Sequence, residues 1–576
     1  MDNRVQLPKQ WTEDGPWSSD TVTNLYNTAR LRSGLILAQA TGTWTNGFGY
    51  DAAHRLTNVT STAGAFSYAY TGVGSLVQKL SLPNTSYITN VYDSVARLTS
   101  TKLNNSGNTT LNKHEYLYNT GNQRIRHTRT DDSYYTNLYD NIGQLLTADS
   151  TVASEDRFYG YDAGWNLAKR TNNTTVYTFG VNVKNELTNG PTATYGYDNN
   201  GNLTSRSSGY VTCTYDAENQ LVSWQNYQTA KTDFVYDGRG RLKKRLEYTW
   251  MGSPYNQWSS ATETRYVYDG MRVIQERTGG NVPAVAYTRG SDLSGSMEGA
   301  GGIGGLLARS HQYSSGSLTN NNYYHADGGN VTYMVDTNQA NVATYRYDPY
   351  GNQISSSGSL ASANLYRFSS KEMHVASAMY YYGYRFYDPN LQRWPNRDPI
   401  GEKGGINLYA FVHSNPLTEI DPKGYTVYAC TRPTDKSFPA YGMGRHAHLW
   451  DDRVGVPWDK SSCGEESQWN VGPTHGPRDA GPVAGYPPSW DYLKAIGVEC
   501  NAVPGSAGHE DEIMQYCRDT INDQGMWKPI NNDCHTALDR VLGDLGYESP
   551  PHRALDESDA ITVSQILLFL NSWRLH

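Results

Sequence analysis

Two groups of residues carry the chemistry open to this chain. Cys534 follows Asn531-Asn532-Asp533 and opens a stretch in which Leu538, Val541, Leu542 and Leu545 recur at helical spacing. Unpaired backbone N–H groups in the first turn of a helix stabilise a thiolate. Asp533 acts the other way, because a nearby negative charge raises a thiol pKa. A thiolate nucleophile also needs a histidine to take and return a proton. His446 in His446-Ala447-His448-Leu449-Trp450 is the first choice and His448 the second, although alternation puts both on one face of a short strand and so does not separate them. The third member of such a triad stays open among Asp451, Asp452, Asn470 and His475. The second group is a pair of Asp-Pro-x-Gly segments, Asp398-Pro399-Ile400-Gly401 and Asp421-Pro422-Lys423-Gly424, with Arg397 before the first. By residue type alone these are turns that shape loops.

Other chemistry competes for the same residues. In an exported product Cys463 could pair with Cys500 or Cys517, and of the five tail cysteines an odd one remains, which could be Cys534. His446, His448, Cys534 and His535 are metal-binding types, but no C-x-x-C or H-E-x-x-H spacing accompanies them. Cys534 could also be a small buried hydrophobe under its helix. No metal and no cofactor is expected.

The chain that must position these groups has 576 residues, a net charge of −8, and 46 Tyr against only 10 Phe. A core built on Leu, Ile and Phe would not use Tyr so heavily. The acidic balance excludes a general nucleic-acid scaffold, which needs clustered Lys and Arg. No apolar run reaches the roughly 18 residues of a transmembrane helix. Residues 1–30 lack the basic and apolar regions of a signal peptide.

A unit of the form Tyr-Asp-x-x-Gly-x-Leu recurs. Its clearest copy is Tyr197-Asp198-Asn199-Asn200-Gly201-Asn202-Leu203, and others start at Tyr50, Tyr92, Tyr139, Tyr161, Tyr215, Tyr236, Tyr268 and Tyr347. Residues before the Asp alternate, as in Thr264-Arg265-Tyr266-Val267-Tyr268, which marks a strand with one buried face. Asp-x-x-Gly then makes a turn in which Asp caps backbone N–H groups and Gly accepts positive φ. Stacked hairpins of this kind bury tyrosine rings side by side and leave the hydroxyls at a wet surface. One continuous, spiralling sheet is expected.

The repeats resemble the YD repeats of the Rhs family, shared with bacterial Tc-toxin C components and teneurins, over about residues 40–424. The resemblance implies a hollow β-shell. Residues 380–424 carry Tyr380-Tyr381-Tyr382-Gly383-Tyr384-Arg385-Phe386-Tyr387-Asp388-Pro389, then Arg393-Trp394, Arg397-Asp398-Pro399, Asn415-Pro416 and Asp421-Pro422-Lys423-Gly424-Tyr425. This is similar to the Rhs repeat-associated core segment, which plugs one end of the shell and in many members is an aspartyl autoprotease. That chemistry needs two carboxylates sharing a proton, one as base and one as acid. The resemblance assigns them to Asp398 and Asp421, with Arg397 holding one ionised. Members that cleave usually do so just after Asp-Pro-x-Gly-Leu, so cleavage is expected near Tyr425, which stands here at the position of that Leu.

Beyond Gly424 the Tyr-Asp units stop, and five of the six cysteines follow. Helices are readable at about 509–522, 533–545 and 558–573. His446-Ala447-His448-Leu449 and Asn532-Asp533-Cys534-His535 resemble the circularly permuted papain-like group, including LRAT-like and permuted NlpC/P60 domains, over about residues 440–546. That resemblance favours His446 as the base. The tail is also similar to an uncharacterised class of Rhs-associated tails.

The expected fold is therefore mainly β: a spiralling YD-repeat sheet forming a hollow shell (1–379), a core or plug segment (380–424), and a small α+β C-terminal effector domain (425–576). The expected function is a polymorphic toxin whose shell encapsulates a cysteine-dependent hydrolase or acyltransferase. Its substrate would be a protein, peptidoglycan or a lipid. An immunity protein and a delivery or secretion partner are expected, with no nucleic-acid partner and export by a route without a signal peptide. The alternative is a non-enzymatic surface or adhesion protein with a disulfide-stapled cap.

Overall fold

The computed structural model describes residues 10–14, 20–39, 41–72 and 74–425, together with the backbone of 428–429, 449–451 and 456–458. The chain divides into two units, Met1–Asp435 and Lys436–His576, and the first holds nearly all the described residues. Cys534, His446 and His448 lie outside the described residues, as do the five tail cysteines. Of the upstream strand, Leu449–Asp451 is described, paired antiparallel with Val456–Trp458.

The first unit is a succession of antiparallel hairpins. All nine Tyr-Asp copies share one backbone device. The pairing register slips between the YD tyrosine and the residue before it, at Tyr50, Tyr92, Tyr139, Tyr161, Tyr197, Tyr215, Tyr236, Tyr268 and Tyr347. In the Tyr197 copy, Asp198 Oδ1 accepts N–H groups from Asn200 and Asn202, both at 2.9 Å. The fourth turn position is left-handed whether or not it is glycine: φ is 83° at Gly201 and 62° at Trp165. A type I turn closed by a left-handed residue makes a bulge of this kind. The Asp cap is therefore strong enough to hold even a bulky residue at positive φ.

The tyrosine hydroxyls depart from expectation. Several are turned inward. They reach back to a carbonyl near the start of the preceding hairpin strand: Tyr70 to Leu56 at 2.6 Å, Tyr139 to Arg124 at 2.8 Å, Tyr236 to Leu221 at 2.7 Å, Tyr268 to Leu242 at 2.8 Å and Tyr347 to Val331 at 2.8 Å. Burial pushes the Tyr236, Tyr268 and Tyr347 phenols well above their usual pKa. These hydroxyls stay protonated and tie one repeat to the next, at about 1 kcal/mol for each neutral hydrogen bond.

The continuous hollow shell is also corrected. Among the described residues there are two large sheets, beside four small ones of two or three strands, and both large sheets are open. A 16-stranded sheet runs in sequence order from Gln10–Asp14 to Thr175–Thr178, and a 15-stranded sheet runs from Tyr195–Tyr197 to Gln353–Ser357. Among the described residues no pairing joins the ends of either large sheet. The ladder breaks at a separate two-stranded hairpin, Gly180–Val181 with Leu187–Asn189, followed by Gly190-Pro191. Proline has no N–H to donate to a ladder. The two sheets share one interior: Leu35, Val59, Phe66 and Leu103 of the first lie in one apolar cluster with Val267, Ile274, Tyr323 and Val335 of the second.

Residues 380–424 add an aromatic cluster on top of this. Tyr380, Tyr382, Tyr387, Trp394 and Phe411 pack with Leu145 and Tyr159 of the first sheet and with Tyr350, in the turn that follows strand Asn341–Tyr347 of the second. The Tyr387 and Phe411 rings stack with centroids 3.8 Å apart. This packing makes a rigid floor for the charged groups above it.

Candidate aspartate site at the Gly424–Tyr425 bond

Asp398 and Asp421 are 23 residues apart, and both face the guanidinium of Arg385. Its Nη2 is 2.6 Å from Asp398 Oδ2 and 3.7 Å from Asp421 Oδ2. Arg385 is nearly inaccessible, with its guanidinium over the Trp394 ring at 4.1 Å. Its Nη1 donates to the Leu408 carbonyl at 3.3 Å, and its Nε donates to the carbonyl of Gly424. One buried arginine thus joins both aspartates to the Gly424–Tyr425 peptide bond.

Each aspartate is fixed by its own turn. Asp398 Oδ1 accepts the N–H of Ile400 at 3.0 Å. Asp421 Oδ1 accepts N–H groups from Lys423 at 3.1 Å, Gly424 at 2.7 Å and Tyr425 at 3.1 Å. The turns are those that Asp-Pro-x-Gly dictates. Their convergence on Arg385 is not dictated by the turns. Arg397, expected as the ionising partner, lies elsewhere: Nη2 is 3.3 Å from Glu186 and Nε is 3.3 Å from the Tyr409 hydroxyl.

The segment 422–425 is clamped atom by atom. The Pro422 carbonyl accepts from Lys371 Nζ at 2.5 Å, which also donates to the Gly301 carbonyl at 3.0 Å. The Lys423 carbonyl accepts the N–H of Tyr384 at 3.0 Å, and the Tyr384 and Tyr425 rings meet edge-on at 4.9 Å. Gly424 has φ 87°, and a Cβ there would sit 3.2 Å from the Arg385 nitrogen. Beyond it the chain returns, since Glu419–Ile420 pairs antiparallel with Tyr428–Ala429. The scissile candidate is the arc of a hairpin.

The electrostatics are those of a site where protons can move. Burial pushes the Asp398 carboxyl up to about 6, with Asp421 adding to the rise and Arg385 opposing it. Burial likewise pulls the Lys371 ammonium down to about 7, with Asp421 opposing. Such a set holds one peptide bond by its oxygen and its nitrogen, beside a carboxyl that titrates near neutrality. Arg385 and Lys371 escape sequence reasoning. Arg385 stands in an aromatic run, 13 residues from Asp398, and Lys371 stands outside the core motifs.

Known proteins place the chain. The family profile described as Teneurin YD-shell matches residues 85–251. The tRNA3(Ser)-specific nuclease WapA of Bacillus spizizenii is 25% identical over 354 residues, covering 59% of this chain and 13% of that protein. The match to the profile covers less than a third of the chain, and over those residues the chain is similar to the YD-shell of teneurins. The double-stranded DNA deaminase toxin A of Burkholderia cenocepacia is 25% identical over 300 residues, 50% of this chain and 20% of that relative. The chain therefore spans a fifth or less of the length of these relatives. Among solved structures, TcdB2-TccC3 without its hypervariable C-terminal region matches with a TM-score of 0.57 at 20% identity. That match covers 72% of this chain and 22% of the other, and it shows a shared fold. Among the described residues, no helix is long and apolar enough to cross a membrane.

Proposed function

We propose that this chain is the scaffold of a polymorphic toxin that cuts itself between Gly424 and Tyr425 and so frees a variable C-terminal effector, residues 425–576. The observation that carries this reading is the hold on one peptide bond. Its oxygen is on Arg385, its N–H is on Asp421, and Asp398 shares the same guanidinium. Arg385 is placed to stabilise charge that develops on the Gly424 oxygen. One carboxylate takes a proton from water, whose hydroxyl adds to the Gly424 carbon. The other, protonated, gives its proton to the Tyr425 nitrogen as the C–N bond breaks. Asp398 suits the shared-proton role because its carboxyl titrates near pH 6. Asp421 suits the ionised base, because its Oδ1 already accepts three backbone N–H groups, that of Tyr425 among them.

The relatives support the wider reading, since their names describe toxins and nucleases much longer than this chain. On this reading residues 1–379 and 380–424 are scaffold and core segment, a partner delivers the complex out of the producing cell, and an immunity protein protects that cell. The effector is a cysteine-dependent hydrolase or acyltransferase with Cys534 as nucleophile and His446 as its base. Intact mass under denaturing conditions tests the cleavage. Two fragments meeting at Gly424/Tyr425, lost in Asp398→Asn, are expected. A single uncleaved chain in wild type sinks the autoprotease. Expression of the full chain with and without Cys534→Ala separately tests the effector. Harm that survives the substitution removes the cysteine mechanism, and no harm at all favours the adhesion reading.

A further inference from the structure

A second group of ligand-type side chains converges on other strands, and the mechanism above does not use it. His114 stands in strand Thr110–Tyr118 and His127 in Arg124–Arg129, both of the first sheet. Asp327 ends strand Ser317–Asp327 of the second sheet. One ligand atom from each lies within 4.8 Å of the others. His114 Nδ1 is 3.0 Å from His127 Nε2, which is 3.5 Å from Asp327 Oδ2. Ligands about 2.0–2.1 Å from a tetrahedral ion stand about 3.3 Å from one another, so small side-chain shifts suffice.

We propose that His114, His127 and Asp327 form a divalent transition-metal site of the zinc type that staples the two sheets together. Two imidazoles and one carboxylate are a zinc donor set with a coordination position left for water. A cavity of about 60 Å³, bordered by all three residues and by Thr332, gives that water room. Asp327 is already sided: its Oδ1 accepts from the Tyr116 hydroxyl at 2.6 Å and lies 3.4 Å from Arg124 Nη1, which leaves Oδ2 towards His127. His114 can present the lone pair of Nδ1, because its Nε2 is 2.9 Å from Thr332 Oγ1, an acceptor for the Nε2 proton. A metal-bound imidazole is oriented by such an outer partner.

The protonation states suit a metal. Burial pulls His114 down to about 3 and His127 down to about 4, so both imidazoles are neutral at pH 7. Burial works against ionisation of Asp327, and the Arg124 guanidinium at 3.4 Å and the Tyr116 hydroxyl at 2.6 Å act the other way. Arg124, Arg129 and Arg346 are cations near the group, and Arg346 is paired with Asp131 and Glu155. Arg129 is 2.7 Å from Glu155, and Arg124 is engaged with Asp327 Oδ1 and with the Tyr116 ring at 4.1 Å. The neighbouring His325 is taken up by Asn112 at 2.9 Å and Thr101 at 3.1 Å.

The test uses the full chain, stripped with EDTA and titrated with Co²⁺, then with Zn²⁺ in competition. Wild type is expected to show visible d–d bands, one metal equivalent more than His127→Gln, and a rise in melting temperature that the variant lacks. Thiolate-to-cobalt absorption in the near ultraviolet would report the tail cysteines separately. A folded His127→Gln chain that binds as many equivalents as wild type overturns the proposal, as does wild type that binds none. Should His127→Gln fail to fold, zinc-edge X-ray absorption on loaded wild type decides. A nitrogen and oxygen shell with imidazole scattering supports the site, and a sulfur shell overturns it.

Discussion

Arg385 holds Asp398 at 2.6 Å through Nη2 and turns its Nε to the carbonyl of Gly424. The distance from carboxylate to peptide bond is thereby spanned by a single planar, rigid cation. Lysine could not do the same, because its ammonium offers no fork. Arg385→Lys should therefore abolish cleavage while keeping the charge. Arg385→Gln should also destabilise the fold by about 3–5 kcal/mol, the usual result of leaving buried charges unpaired. Denaturant unfolding alongside intact mass checks both, and full cleavage in Arg385→Lys would contradict the positioning role.

Asp398 makes stability depend on pH in a definite direction. Its carboxyl is raised from a usual 3.8 to about 6 by burial. A raised carboxyl binds its proton more tightly in the folded state. Its contribution is complete below about pH 4, declines as pH rises to about 6, and is flat above. The span corresponds to about 3 kcal/mol. Unfolding of wild type and Asp398→Asn across pH 3.5–8 should differ by that falling limb, and parallel profiles would refute the assignment.

The repeat turns should respond as capped turns do. Asp198→Ala removes the acceptor for Asn200 and Asn202 and should cost about 1–2 kcal/mol. Gly201→Ala should also destabilise, for a different reason. Its Cβ would lie 2.4 Å from Arg397 Nε and 2.5 Å from the Tyr409 hydroxyl, at a φ of 83°. Overpacking and left-handed strain together predict about 2–4 kcal/mol. Thermal melts rank the two, and a neutral Gly201→Ala would show that the core segment yields at this point.

Thiol labelling should be divided along the chain. Cys213 is buried, and burial pushes its thiol up to about 12. Native iodoacetamide should leave it untouched at neutral pH while any reactive cysteine is modified. Peptide mapping after short exposure reads this directly. Fast labelling at Cys213 would mean that the second sheet opens readily, because the residue sits at the centre of strand Val211–Tyr215.

Local chemistry was legible in the sequence. The Tyr-Asp-x-x-Gly units form hairpins where they recur, because an aspartate that accepts the N–H two and four residues on needs only its own turn. The Asp-Pro-x-Gly turns at Asp398 and Asp421 belong to the same class. Tertiary structure alone decided the rest. Arg385, rather than the adjacent Arg397, stands between the two aspartates because the aromatic packing around Trp394 directs it there. The tyrosine hydroxyls find carbonyls in the preceding repeat because the stacked strands bring those oxygens within reach. The sheet divides near Pro191, and its two parts meet across a packed interior, so His114 and His127 come to lie beside Asp327, some 200 residues on. Residue spacing carries information about contacts made within a turn or a hairpin. Which faces meet across sheets is set by the summed twist and packing of many strands, and no short motif records that sum.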